Sequence, residues 1–188
     1  MDLARDILDG LGATYRQGGV RSPGYIVDTW RVWEDAISSA CRIGYGAGNV
    51  SVQQNVDLGI LTRRTDGWKP NLARVRPDIR VLAGKDTAYL IDAKYKGRGD
   101  DSSMQIAESD VYEALAFMEA TKTKLTFLAY PAPRDLGGLG NIGVFANVTV
   151  GNRKIVAVEV QVETISQRFG LLKFAERFCG QIDKQSRS

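Results

Sequence analysis

The sequence predicts a mixed α/β domain built around a central sheet, and three observations lead to that fold class. Segments of helical and strand periodicity follow one another as helix, strand hairpin, helix, strand, strand hairpin, helix. A chain of 188 residues, 44% hydrophobic and 25% charged, can bury a core without disulfide or metal staples. No internal repeat, low-complexity tract or linker divides it. The expected organisation is therefore one domain over residues 1–188, with residues 1–25 as an N-terminal helix and linker and residues 181–188 as a polar tail.

From Asp28 to about Arg42, Trp30, Trp33, Ile37 and Cys41 recur at spacings of three and four, which predicts an amphipathic helix with Asp28 placed to cap it. Gly44 to Gly48 end that helix. Val50 to Leu61 is rich in β-branched residues and reads as one strand, and the polar stretch Thr62 to Arg76 reads as a loop made basic by Arg63, Arg64, Lys69, Arg74 and Arg76. Asp78 to Leu82 and Thr87 to Tyr95 read as two strands joined by a turn at Ala83 to Asp86. A loop from Gly97 to Ser103 leads to a helix marked by Val111, Ala114, Leu115 and Met118, with Ser109 or Asp110 as its cap.

Lys124 to Tyr130 is an apolar strand ended by Pro131 and Pro133, and Asp135 to Asn141 is a glycine-rich loop. Gly151-Asn152 joins the strands Ile142 to Val150 and Arg153 to Val162 as a hairpin. The last segment places Ile165, Phe169, Leu172, Ala175 and Phe178 on one helical face, and the chain turns polar after Gly180.

The chain contains no histidine. That excludes Ser-His-Asp triads, Cys-His proteases, His-metal finger nucleases and the common zinc hydrolases together, and leaves hydrolytic chemistry to carboxylates, Lys or Tyr. Cys41 and Cys179 lie far apart in sequence with no CxxC or Cys/His cluster, which fits a reduced, cytoplasmic protein. No apolar run approaches the roughly 20 residues that cross a bilayer, so no membrane partner is expected. A net charge of +3 suits a polyanion without demanding one.

Residues two apart on a strand face the same side, so Asp92 and Lys94 project together, and Asp78 heads the neighbouring strand. In a favourable register the two carboxylates meet and make a site for a hard cation such as Mg²⁺, with Lys94 beside it to orient a water or stabilise developing negative charge. The competing reading is a solvated strand face with a weak ion pair. Against it stands the apolar flank Tyr89-Leu90-Ile91 and Ala93, because charges on a buried strand need partners or a metal.

Arg76-Pro77-Asp78-Ile79, then Leu90-Ile91-Asp92-Ala93-Lys94-Tyr95-Lys96, then Ser109-Asp110-Val111-Tyr112-Glu113-Ala114-Leu115-Ala116-Phe117, resemble the nuclease domain of McrC, a component of methylation-dependent restriction systems. The resemblance extends from Trp33-Glu34 to Leu128-Ala129-Tyr130-Pro131. It implies the restriction-endonuclease-like PD-(D/E)XK fold, a central mixed sheet flanked by helices. It also implies Mg²⁺ dependence, with Mn²⁺ as a substitute, and double-strand DNA cleavage in defence against foreign DNA. The motif positions carry over onto Asp78, Asp92 and Lys94. Trp33-Glu34 resembles the family's Phe-Glu pair, making Glu34 a candidate third metal ligand or, alternatively, an exposed helix carboxylate. Glu113 departs from the family's Gln after Asp-x-Tyr and is a candidate to ligate metal or tune Lys94. Tyr112 is a packing residue or a phosphate contact.

Arg76, Lys96 and Arg98 are candidate phosphate contacts beside the motif strand. The basic loop before them either contacts phosphates too or is simply solvated, and Trp68 within it either stacks on a base or packs on the sheet. No GxxxxGK[ST] phosphate loop occurs. Nucleotide hydrolysis would then fall to a separate AAA+ motor, as the resemblance implies, and the region that contacts such a motor is shortened here to about 25 residues. Cutting both strands needs two active centres, hence a homodimer or larger assembly. The rival readings are a non-catalytic nucleic-acid-binding or assembly subunit of the same fold, and a repair or junction nuclease.

Overall fold

A computed structural model of the chain describes residues 28–95, 106–132, 136–163 and 165–187. In chain order the elements are α1 (Thr29–Tyr45), β1 (Val50–Val52), β2 (Val56–Thr62), β3 (Pro70–Val75), β4 (Ile79–Ala83), β5 (Asp86–Ala93), α2 (Glu108–Thr121), β6 (Leu125–Pro131), β7 (Ile142–Val150), β8 (Arg153–Val160) and α3 (Gly170–Ser186), with short 3₁₀ turns at Ala47–Asn49 and Arg64–Asp66. Six strands form one sheet in the order β1-β4-β5-β6-β8-β7. Strands β5, β6 and β8 run parallel and β1, β4 and β7 antiparallel to their neighbours, a mixed α/β architecture. The remaining two strands pair only with each other, as a separate ribbon β2–β3.

The period of two along the central strands sorts their side chains into two cores. Tyr89 and Ile91 of β5, Phe127 and Ala129 of β6, and Val156 and Val158 of β8 point to one face, covered by α1 and α3. Leu90, Leu128, Ile155 and Ala157 point to the other, covered by α2 through Ala114, Phe117 and Met118. Burial on both faces explains why β5 and β6 read as nearly continuous apolar runs rather than alternating ones. By the same alternation Asp92 projects on the α2 side, at the carboxyl end of the parallel strands.

Helices α1 and α3 cross where Gly44 meets Cys179. A β-carbon on Gly44 would lie 2.4 Å from Cys179 Sγ and 3.2 Å from the Ala175 carbonyl. Cys41 and Cys179, distant in sequence, are both buried at this crossing as free thiols, and each perturbs the other's ionisation. Gly44→Ala is expected to destabilise the fold by about 1–3 kcal/mol through overpacking, read as a lowered urea midpoint at unchanged m-value. An unaltered midpoint would mean that the two helices separate without strain.

The structure corrects several expectations. Val50 to Leu61 is two strands, because Gln53 adopts a left-handed backbone (φ 48°) and the chain leaves the main sheet there. The expected loop Thr62 to Arg76 contains β3, whose alternation is masked by polar and basic residues on an exposed ribbon. Asp28 stands at the N-cap of α1 as expected but makes no side-chain bond there, and Ala107, not Ser109 or Asp110, occupies that position in α2. Trp30, Phe169 and Leu172 are exposed, while Ala40 and Phe174 are fully buried. Residues after Gly180 are not a polar tail, since α3 continues to Ser186, with Ile182 buried and Asp183 accepting from the Tyr89 hydroxyl at 2.6 Å. The expected helix and linker over 1–25 and the loop Gly97 to Ser103 lie outside the described residues.

Candidate active site

The β4–β5 ladder brings two carboxylates together. Ile79 pairs with Ile91, so Asp78, one residue before β4, arrives opposite Asp92. The amide of Ala93 donates to Asp78 Oδ2 at 2.9 Å and fixes that carboxylate at the strand end. Asp92 is only 3% exposed. Its Oδ2 lies 2.7 Å from Lys94 Nζ as an ion pair. Burial raises the pKa of both carboxyls, Asp92 strongly, and Asp78 adds to the rise of Asp92 by sharing a hydrogen bond and by its charge.

A third carboxylate enters from α1. The indole of Trp33 donates to the Ala129 carbonyl at 3.0 Å, the same oxygen that accepts from the Lys94 amide at 2.9 Å. This pins α1 to the end of β6 and delivers the next residue, Glu34, buried, to the site. Its Oε1 accepts from Gln53 Nε2, and its carboxyl is within hydrogen-bonding reach of Asp78. Burial, then the neighbouring Asp35, raises the Glu34 pKa, while the hydrogen bond with Asp78 and then the Arg76 guanidinium pull it down. The Gln53 amide also donates to the Asp78 carbonyl at 2.9 Å, so one residue holds two of the acidic positions.

Lys94 sits among acids. Its Nζ is 2.7 Å from Asp92 Oδ2, 2.6 Å from Glu113 Oε2 and 4.0 Å from Asp110 Oδ1. Asp110 is buried on α2 and accepts from the Tyr130 hydroxyl at 3.0 Å. Burial alone would lower the ammonium pKa, but Asp92 and Glu113 more than offset it and the net shift is upward. Lys94 is therefore held as a cation at the carboxylate pair.

A model of the McrBC 5-methylcytosine restriction system component family matches residues 1–131. The chain belongs to that family. Among solved structures, this McrBC-family chain is similar to a chain of the refined half-complex from a tetradecameric assembly of Thermococcus gammatolerans McrB AAA+ hexamers with bound McrC. The TM-score is 0.50 at 14% identity over 85% of this chain. At that identity the likeness speaks for the fold alone, and the match spans only 34% of the length of that neighbour. No curated protein matches.

Of the positions expected from sequence in this McrBC-family chain, Asp78, Asp92, Lys94, Glu34 and Glu113 converge at one end of the sheet. Glu34 is thereby not an exposed helix carboxylate. Arg76 is exposed beside it, close enough to act on its ionisation, while Lys96 and Arg98 lie outside the described residues. Tyr112 and Trp68 point largely to solvent. Sequence reading missed Gln53, Asp110 as a site residue, and Tyr130. Only Asp110 carried a signal, its i, i+3 spacing to Glu113, which puts both on one helical face.

The donor set of the McrBC-family site fits a hard divalent cation. It offers oxygens only, and a desolvated carboxylate pair, Asp78 and Asp92, whose charge Lys94 offsets only in part. Among the described residues no three His, Cys, Asp or Glu side chains form a ready-made cage. The fit is thus to an ion that keeps several waters and takes one or two protein carboxylates, the habit of Mg²⁺. Among the described residues no helix is long and apolar enough to cross a membrane.

Proposed function

We propose that the chain is a metal-dependent endonuclease that hydrolyses DNA phosphodiester bonds, the nuclease module of a restriction or anti-phage defence system, with a PD-(D/E)XK fold. One observation carries the reading: a buried carboxylate pair, Asp78 and Asp92, faces a charged lysine at the end of a central sheet. Asp78 and Asp92 would hold Mg²⁺ or Mn²⁺, with Glu34 as the further acidic residue supporting the site through Asp78. A bound ion of this kind polarises a phosphodiester and lowers the pKa of a water. Lys94 orients the attacking water and stabilises charge developing on the phosphate oxygens. Asp110 and Glu113 keep its ammonium in place, and Arg76, Lys96 and Arg98 are assigned to flanking phosphates. Free buried thiols suit a cytoplasmic setting.

The named neighbour, in which McrC is bound to McrB AAA+ hexamers, supports a motor of that kind as partner, and cleavage of both strands calls for a second copy of the site, in a homodimer or larger assembly. The test is nicking and linearisation of supercoiled plasmid with Mg²⁺ or Mn²⁺. A second reading, a non-catalytic subunit, is favoured by the close pairing of Lys94 with both Asp92 and Glu113. Titration calorimetry with Mn²⁺ separates the two, because a degenerate site shows no heat that depends on Asp78 and Asp92.

Glu113 touches Lys94 from a half-exposed position on α2. Exposed pairs are worth about 0–1 kcal/mol, so Glu113→Gln is expected to change the plasmid-nicking rate by no more than about fivefold. A loss of a hundredfold would promote Glu113 to a metal ligand.

A further inference from the structure

The β2–β3 ribbon leaves the domain and re-enters it at the candidate site. Its two feet are Gln53, which bonds Glu34, and Asp78, and the Gln53 amide closes the base by donating to the Asp78 carbonyl at 2.9 Å. A bulge between Asp57 and Gly59 sorts its faces. Leu61, Ala73 and Val75 are partly buried on the inner face, where the ribbon packs on α2. The Cα partners Ile60 and Leu72 face outward at 74% and 53% exposure. At the tip stand Arg63, Arg64 and Lys69, exposed beside Trp68, which is 65% exposed in a left-handed backbone.

Charge selects the partner. Between Val56 and Arg76 there are five cations and two carboxylates, a surplus equal to the whole net charge of +3. The rest of the chain is neutral, so the excess is concentrated on one arm rooted at the acidic site. A two-stranded ribbon has the width to enter the major groove, where aliphatic side chains can meet thymine methyls. We infer, resting on the nuclease reading, that the β2–β3 ribbon grips duplex DNA beside the cut site. Arg63, Arg64 and Lys69 contact backbone phosphates, and Ile60 and Leu72 lie against the groove.

The test is fluorescence anisotropy of a labelled duplex with the full chain carrying Asp92→Asn, in EDTA, with and without Arg63→Ala, Arg64→Ala and Lys69→Ala together. The tip variant is expected to bind at least about tenfold more weakly near 0.1 M salt, and its log K against log salt slope to shrink by about 2–3, one step per lost phosphate contact. Ile60→Ser with Leu72→Ser is expected to weaken binding while leaving that slope unchanged. Matching circular dichroism and melting curves exclude misfolding. Unchanged affinity and slope in the tip variant would overturn the inference and assign the ribbon to a protein partner. A parent chain that binds no duplex would overturn it as well. Plasmid cutting by the unaltered chain is scored in parallel. Cutting together with ribbon-independent binding sinks the ribbon alone, and ribbon-dependent binding with neither cutting nor Asp92-dependent Mn²⁺ binding sinks the nuclease reading alone.

Discussion

Asp92→Ala and Lys94→Ala are each expected to lower Mg²⁺-dependent plasmid cleavage by on the order of 10³-fold. For Asp92 the reason is that a hard cation at this site has few protein oxygens to use, and this carboxylate is buried, faces Asp78 and is only partly compensated by Lys94. No neighbour replaces it: Glu34 is turned toward Gln53 and Asp78, and Glu113 is paired with Lys94. For Lys94 the reason is electrostatic, since removing the ammonium 2.7 Å from Asp92 takes away the positive charge placed to orient the water and to meet the charge that develops on the phosphate. Asp78→Ala should behave like Asp92→Ala, and Glu34→Ala should cost less, roughly tenfold, the size of one lost hydrogen bond to a charged group, because its carboxylate acts on the pair through Asp78. The measurement is initial nicking rate against enzyme concentration, with folding checked by circular dichroism. Equal rates in all variants would identify a contaminating nuclease and remove the site assignment.

How much of this was legible in the sequence depends on what each signal measures. Asp92 and Lys94 were legible because a strand's period of two is a local property, and the charged pair interrupts an apolar run that folding buries on both faces. Asp78 was legible only jointly with the hairpin turn, whose length sets the register that brings it opposite Asp92. Glu34 needed the tertiary contact of Trp33 with the Ala129 carbonyl, 96 residues away, and entered through family resemblance rather than through pattern. Gln53 was beyond reach. Its role depends on a left-handed backbone that non-glycine residues seldom adopt and on two partners distant in sequence.

The misread segments share one cause. Periodicity reports burial, and the ribbon β2–β3 is mostly exposed, so Pro70–Val75 carries no apolar alternation for a sequence reader to find. The end of α3 failed for the opposite reason, since one buried Ile182 among polar residues is too sparse a signal to extend a helix.

Without metal, Asp92→Asn is expected to raise the stability of the fold at pH 8 even as it abolishes cleavage. Burial strips water from the carboxylate and Asp78 repels it, while Lys94 offsets only part of this, so the folded pKa stands well above the ordinary 3.8. A raised folded pKa means that the folded chain binds more protons than the unfolded one in the window above 3.8. Stability from the pair is therefore full below that value and is lost as pH rises through the folded pKa. Asparagine removes the titration and leaves Lys94 its contact with Glu113. Replacing a buried charge that Lys94 only partly offsets removes that loss, which should show as a higher urea midpoint at pH 8 and shrink as the pH falls toward 3.8. Magnesium inverts the order: an ion that binds only the folded state adds about 2.7 kcal/mol at a hundredfold excess over its Kd, to the unaltered chain and not to Asp92→Asn. A metal-free Asp92→Asn protein less stable than its parent at pH 8 would mean that the Asp92 to Lys94 pair is a structural bridge. In the opposite case the strain of keeping two acids buried together is what readies the site for a cation.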